Sequence, residues 1–203
     1  MSYLDLVDKT RLFETLHLLD KELAQRQRER GCPQPGCSGP LHWGKFLRKP
    51  RGESIELPEA YSQRMGLCCG WCRKRVLPPS CLFFGRRVYW GVVVILVTAA
   101  IQGLQKRSMA ELCKRFGVSR RTVKRWVRYF ESLFWHSDRW QRLRGRVIAT
   151  VCDKELPKSL LRIFLEGGAS EFEAVVRCLS FLAEASQICS DFLKERGKEV
   201  FTQ

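Results

Sequence analysis

Leucines at positions 12, 16, 19 and 23 recur in steps of four, three and four, and so line one side of a helix predicted over residues 3–30. The end of that helix, Gln25 to Arg30, is wholly polar and charged. A stripe of this kind packs on the rest of its own chain or pairs with a second copy. The helical rhythm then stops. From Gly31 to Ser80 the chain is rich in glycine, proline and cysteine, with only short apolar pieces such as Leu41-His42-Trp43. So long an irregular stretch inside a compact domain needs something else to hold it, and a bound metal is the natural candidate.

Helical periodicity returns at Phe83 and lasts to about Arg144. An apolar run, Val88 to Leu104, comes first; a helix near 108–116 follows, then a break at Gly117 and a helix near 119–134. A short helix is expected over Lys158 to Glu166, ended by Gly167-Gly168. Ser170 with Glu173 three residues on reads as a capping box, where each side chain bonds the other's backbone N–H. The helix it opens is predicted to run to about Arg196, with Val175, Cys178, Leu179 and Leu182 on its buried face. The expected fold is mainly α: a helix-turn-helix three-helix core, a small irregular or β-ribbon zinc-ribbon-like module, and flanking helices. The corresponding regions are 1–30, 31–82, 83–146 and 147–203. No internal repeat or low-complexity tract breaks this pattern.

The 17-residue run at 88–104 is short for a membrane span, which wants about 20 apolar residues, and it contains Thr98, Gln102 and two glycines. A buried helix is the preferred reading, with a membrane-associated regulator as a third-ranked alternative to be decided by fractionation.

Charge sharpens the picture. The net charge is +15, yet residues 31–146 alone carry +17 while both flanks are close to neutral. Basicity gathered in one region is the footprint of a polyanion-binding surface. The N-terminus has acidic residues from Asp5 onward and no signal-peptide character, so a cytoplasmic, nucleoid-associated location is expected.

Residues Ser108 to Phe130, SMAELCKRFGVSRRTVKRWVRYF, carry the strongest single motif. Cys113 is the small residue that lets a second helix cross closely. Gly117 tolerates the left-handed turn, Val118 plugs the core, and Ser119 caps the next helix. Leu112, Phe116, Val123, Trp126 and Val127 fall on faces that must bury together. Arg120, Arg121, Lys124, Arg125 and Arg128 remain outside, most of them along one side of the second helix. In this motif the start of the second helix enters the major groove of duplex DNA. Arg120, Arg121 and Lys124, with Ser119 in reach, are therefore candidates for base or nearby phosphate contact, and Arg125 and Arg128 for phosphate contact. A helical hairpin with a solvated basic face is the bland alternative.

Ten cysteines complete the chemistry. Cys32 and Cys37 enclose four residues, and Cys69 and Cys72 enclose two. Two close pairs about thirty residues apart suit a structural zinc ion held by four thiolates, which leaves no open position for a reacting water. Cys68 competes with Cys69 for one place, and Cys81 and His42 are outside candidates. Cys113, Cys152, Cys178 and Cys189 read as small packing residues. Around the pairs lie Lys45, Arg48, Lys49, Arg51, Arg73, Lys74, Arg75, Arg86 and Arg87, interleaved with Trp43, Phe46, Trp71, Phe83 and Phe84. This is either a second DNA contact or a solvated surface.

The cysteine pairs, the stretch LCCGWCRKRVLPPSCLFFGRR and the helix-turn-helix together resemble the zinc-ribbon plus helix-turn-helix front end of bacterial insertion-sequence transposases, and the small stand-alone DNA-binding proteins encoded beside some of them. The resemblance covers roughly residues 31–135. It implies zinc at Cys32, Cys37, Cys69 and Cys72, and DNA contact from Arg120, Arg121 and Lys124. Such transposases continue into a large domain with three metal-binding carboxylates, whereas about 57 residues, all helical in character, follow Arg146 here. Histidines 17, 42 and 136 are scattered, unlike the paired histidines of rolling-circle nucleases. The expectation is thus a non-catalytic accessory or regulatory protein of a mobile element, binding duplex DNA as a homodimer, with a transposase or recombinase as a possible partner and no membrane association. The alternatives are a transposase subunit that completes an active site with a partner, for which Asp153, Glu155 and Glu166 are the nearest acidic groups, and an ordinary transcription regulator.

Overall fold

The computed structural model describes residues 3–48, 50–52, 56–84, 89–104, 107–147, 151–167, 170–186 and 189–191. A 3-10 turn, Tyr3–Asp8, leads into helix α1, Thr10–Arg30. Leu12, Leu16 and Leu19 are fully buried and Leu23 nearly so. The leucine stripe is therefore engaged within its own chain. Gly31, at φ +79°, turns the chain out of α1, and its N–H bonds back to the Arg28 carbonyl.

The region without helical period folds as a small antiparallel sheet. Strands β1 (Leu41–Leu47), β2 (Gln63–Cys69) and β3 (Arg75–Val76) lie in that order. Leu41 stands opposite Cys69, and Leu67 opposite Val76. Buried Cys32, Leu41, Leu67, Cys69 and Val76 form a minor core of their own.

Among the described residues, a larger core gathers most of the other buried apolar side chains. Helix α2 (Gly91–Ala99) is buried at every one of its residues, as a helix apolar on all sides must be. It continues through one π-type turn to Leu104, where Gly103 takes φ +88°. The helix expected from Phe83 thus begins at Gly91. Phe83 instead makes a β-bridge to Trp90, and Val88 lies outside the described residues. Helices α3 (Met109–Arg115), α4 (Arg120–Arg128) and α5 (Asp138–Arg144) follow, with a π-type turn, Tyr129–Phe134, after α4. Helices α6 (Lys158–Glu166) and α7 (Glu171–Leu182) close the layer. The architecture is mainly α, with α2, α3 and α4 as the three-helix core.

The last helix is shorter than the sequence pattern suggests. It stops at Leu182, because Glu184 adopts a left-handed backbone (φ +60°) and the Ala185 N–H turns back to Ser180 O. A helical segment at 189–191 follows, and residues 192–196 of the expected helix lie outside the described residues.

Long-range polar contacts tie the pieces together. Asp20, 2% exposed within α1, takes the Ser80 hydroxyl and the backbone N–H groups of Cys81 (2.6 Å) and Leu82 (3.4 Å). This anchors the exit from the sheet module to α1. Arg115, at the end of α3, bonds Asp8 at 2.6 Å, Asp5 at 3.3 Å and the Leu4 carbonyl at 2.8 Å, fastening the N-terminal turn to the helix-turn-helix.

Candidate nucleic-acid interface and thiolate centre

Helix α3 opens with a complete capping box: Glu111 N–H donates to Ser108 Oγ at 3.2 Å and Ser108 N–H to Glu111 at 2.9 Å. Leu112 and Phe116 point inward, each 1% exposed, and Cys113 packs against the same core. Gly117 takes φ +57°, a conformation costly for a residue with a Cβ. Val118 seals the turn and its N–H bonds Cys113 O at 3.1 Å. Ser119 then caps α4 by accepting the Thr122 N–H at 3.2 Å.

Within α4, Val123 and Trp126 are buried, and Trp126 meets Tyr89 edge-on at 5.0 Å. The other side carries Arg120, Arg121, Lys124, Arg125 and Arg128, all exposed. None of these five has an acidic partner among the described residues. The contrast with neighbouring cations is informative: Arg115 is held by Asp5 and Asp8, Arg139 and Arg142 face Glu184, and Arg144 pairs with Asp153 at 2.9 Å. Among the described residues, carboxylates thus pair with the arginines around α4 and with none of those on it. Five exposed cations without an acidic partner among the described residues are a surface suited to a polyanion.

The four cysteines of the two pairs come together. The Sγ atoms of Cys32, Cys37, Cys69 and Cys72 all lie within 4.8 Å of one another, with Cys32–Cys72 at 3.7 Å and Cys37–Cys69 at 3.6 Å. A tetrahedron with metal–sulfur bonds of about 2.3 Å has sulfur–sulfur edges of about 3.8 Å, so the spacing fits a zinc site of four thiolates. The strand alternation of β2 decides between adjacent cysteines. Cys69 points inward, fully buried, while Cys68 points away and bonds the Arg73 carbonyl at 3.6 Å. His42, exposed beside Gly70, is outside the cluster, as is Cys81, buried near Asp20 and Ser180.

Burial acts to raise the Cys69 thiol. The backbone N–H groups of Cys72 and Trp71, with the thiols of Cys72 and Cys37, overcome it and bring Cys69 down to about 6. Cys32 receives a backbone N–H at Gln34, but burial and three neighbouring thiols push it up to about 12. Four thiols this close suit a divalent cation, which would balance their charge once they ionise.

Other expected positions divide. Arg73, Lys74 and Arg75 are exposed around the second cysteine pair, Arg51 is exposed and Arg48 half-buried. Phe83 is buried against Trp90, and Phe84 packs on Tyr129 and Phe130, so both belong to the core and not to a contact surface. The side chains of Lys45, Phe46, Lys49, Arg86 and Arg87 lie outside the described residues. Cys152 is exposed, in contrast to the packing role expected of it, because it precedes a short 3-10 turn at the surface; Cys178 and Cys189 are buried and Cys113 is partly so. Asp153 accepts Trp140 Nε1–H at 2.9 Å as well as pairing with Arg144, Glu155 pairs with Lys158 at 2.8 Å, and Glu166 is exposed at the end of α6.

Residues 95–133 match a helix-turn-helix domain family. The matched segment runs from the middle of α2 through α3 and α4 into the turn beyond. This is a helix-turn-helix region, and the match points to DNA as what it binds. No curated protein and no solved structure matches the chain. Among the described residues, no helix is long and apolar enough to cross a membrane.

Proposed function

We propose that this chain is a sequence-specific, non-catalytic duplex-DNA-binding protein, and that it serves as an accessory or regulatory factor of a mobile element. The observation that carries the DNA reading is the outer side of α4, where Arg120, Arg121, Lys124, Arg125 and Arg128 are exposed and lack acidic partners among the described residues. With α4 in the major groove, Arg120, Arg121 and Lys124 at its start meet base edges or adjacent phosphates, and Arg125 and Arg128 meet phosphates. Ser119 sets the first turn of the helix through its cap. Two copies reading paired half-sites is the arrangement common to such motifs. The mobile-element role rests on the resemblance of residues 31–135 to transposase front ends.

The four cysteines hold a structural zinc ion. Its chemistry is to replace thiol protons and to cross-link the two knuckles, with no ligand position left for substrate.

The experiment is a salt titration of duplex binding by the parent chain and an Arg120/Arg121/Lys124 triple alanine variant. Binding that is tight, falls steeply with salt and collapses in a still-folded variant supports the reading. Equal binding by both proteins moves the interaction away from α4, and no binding by the parent removes DNA as the target.

A further inference from the structure

The turn between Cys69 and Cys72, two of the four clustered cysteines, presents a tryptophan to solvent. Trp71 is 68% exposed, the most exposed of the large apolar side chains described. Exposure of so much indole disfavours the free protein, and the turn does not let it fold away. A Cβ on Gly39 would lie within 2.8–2.9 Å of Trp71 Cγ and Cδ2, so the inner part of the ring is seated on that glycine. The turn itself is closed by Gly70 N–H to Pro40 O at 2.9 Å and Arg73 N–H to Cys69 O at 3.1 Å. The ring is thus held in place before any partner arrives.

The setting is cationic. Arg73 and Lys74 follow on the same turn, both exposed. A second exposed indole, Trp43, carries the Arg28 guanidinium at 5.8 Å from its ring centre. No Asp or Glu occurs in residues 31–52 or 60–82. A fixed aromatic face on a basic segment that carries no carboxylate of its own fits a base with its phosphate. In an intact duplex the base faces are already stacked on one another, so only an unpaired base has a face to offer.

We infer that Trp71 is a stacking platform for an unpaired DNA base, with Arg73 and Lys74 on the neighbouring phosphates. The site would make the chain prefer a duplex that passes into a single strand. This rests on the proposal that α4 holds the adjoining duplex.

The test compares zinc-loaded full chain binding to a blunt duplex and to the same duplex with a thymidine overhang. One base–indole stack is worth about 5- to 150-fold in affinity, and the overhang is expected to add that much for the parent. Trp71→Ala should erase the gain and Trp71→Phe should keep most of it, with blunt-duplex affinity unchanged in both. Because loss of the ring could disturb the turn, a second measurement uses the parent alone: 5-iodouracil at the first unpaired position is expected to photocrosslink to Trp71. An overhang that adds nothing, a gain that survives Trp71→Ala, or a crosslink mapping elsewhere overturns the inference. Stronger stimulation by an RNA overhang than by DNA also overturns it. Absence of blunt-duplex binding by the parent would instead overturn the reading of α4, so the two failures are separable.

Discussion

The carboxylate of Asp20 accepts the backbone N–H of Cys81 at 2.6 Å, across 61 residues of sequence. Around that bond the helical core and the cysteine module meet, since Ser80 and Leu82 donate to the same carboxylate. Burial pushes the group up to about 6 from its ordinary 3.8, with the hydrogen bonds and the charge of Arg64 acting against the shift.

The sign of the resulting pH dependence follows from where the proton sits. Between the ordinary value and about 6, the folded chain retains a proton that the unfolded chain has released. This group's contribution to stability is therefore fully present below the ordinary value, declines as pH rises through that window and is flat above it. Asp20→Asn keeps an acceptor for Cys81 and cannot ionise, so the difference in urea-unfolding free energy between parent and variant should change by about 3 kcal/mol at most from pH 4 to pH 7. A pH-independent difference would show that Asp20 titrates normally. Asp20→Ala should cost about 2–4 kcal/mol at neutral pH, because it leaves buried N–H groups unmet.

Arg125 and Arg128 differ in expected consequence from Arg121. If each of the first two holds one phosphate, its replacement by alanine lowers the slope of log affinity against log salt by about 0.9, with the preference among sequences kept. Arg121→Ala, nearer the start of α4, should flatten sequence preference by about 1–3 kcal/mol at one base pair. Competition binding over a set of sites at several salt concentrations separates the two behaviours. Identical effects from all three substitutions would mean that α4 does not enter the groove by its N-terminal end.

The N-terminal turn depends on Arg115, whose side chain is 27% exposed and whose partners Asp5 and Asp8 are 43% and 42% exposed. Water screens these pairs, so Arg115→Ala should cost about 1–2 kcal/mol. Its more telling effect is local. Amides in residues 3–8 should lose hydrogen-exchange protection while α4 keeps its own.

What was legible in the sequence was what repeats or pairs at short range. The step of three and four placed α1, the glycine and serine placed the α3–α4 turn, and cysteines with two to four residues between them marked the four that cluster. Cys68 and Cys69 could not be ranked until the register of β2 was known, since only the strand's alternation sends one inward. Phe83 and Phe84 looked like surface aromatics beside basic residues, but the bridge to Trp90 and the stacking on Phe130 bury them. The partners of Asp20 and Arg115 lie too far along the chain for any local pattern. Asp20 did leave a trace, because it interrupts the apolar stripe between Leu16 and Leu23. Trp71 was visible as a residue, but its exposure depends on Gly39 and the folded turn.

Metal removal tests the division between the two cores. Among the described residues, the minor core buries Leu41, Leu67 and Val76 besides its cysteines. Three aliphatic side chains are a small core for a module of this length, so under the zinc reading the sheet depends on the ion to cross-link it. A strong chelator should therefore release one zinc per chain, make four thiols reactive and unfold the sheet. The larger core contains none of the four cysteines, so most of the helical circular dichroism should persist. Cys69→Ser should lose the metal and Cys68→Ser should keep it. A chelated chain whose sheet amides stay protected would show that the module stands without metal, and retention of zinc by Cys69→Ser would assign its place to Cys68.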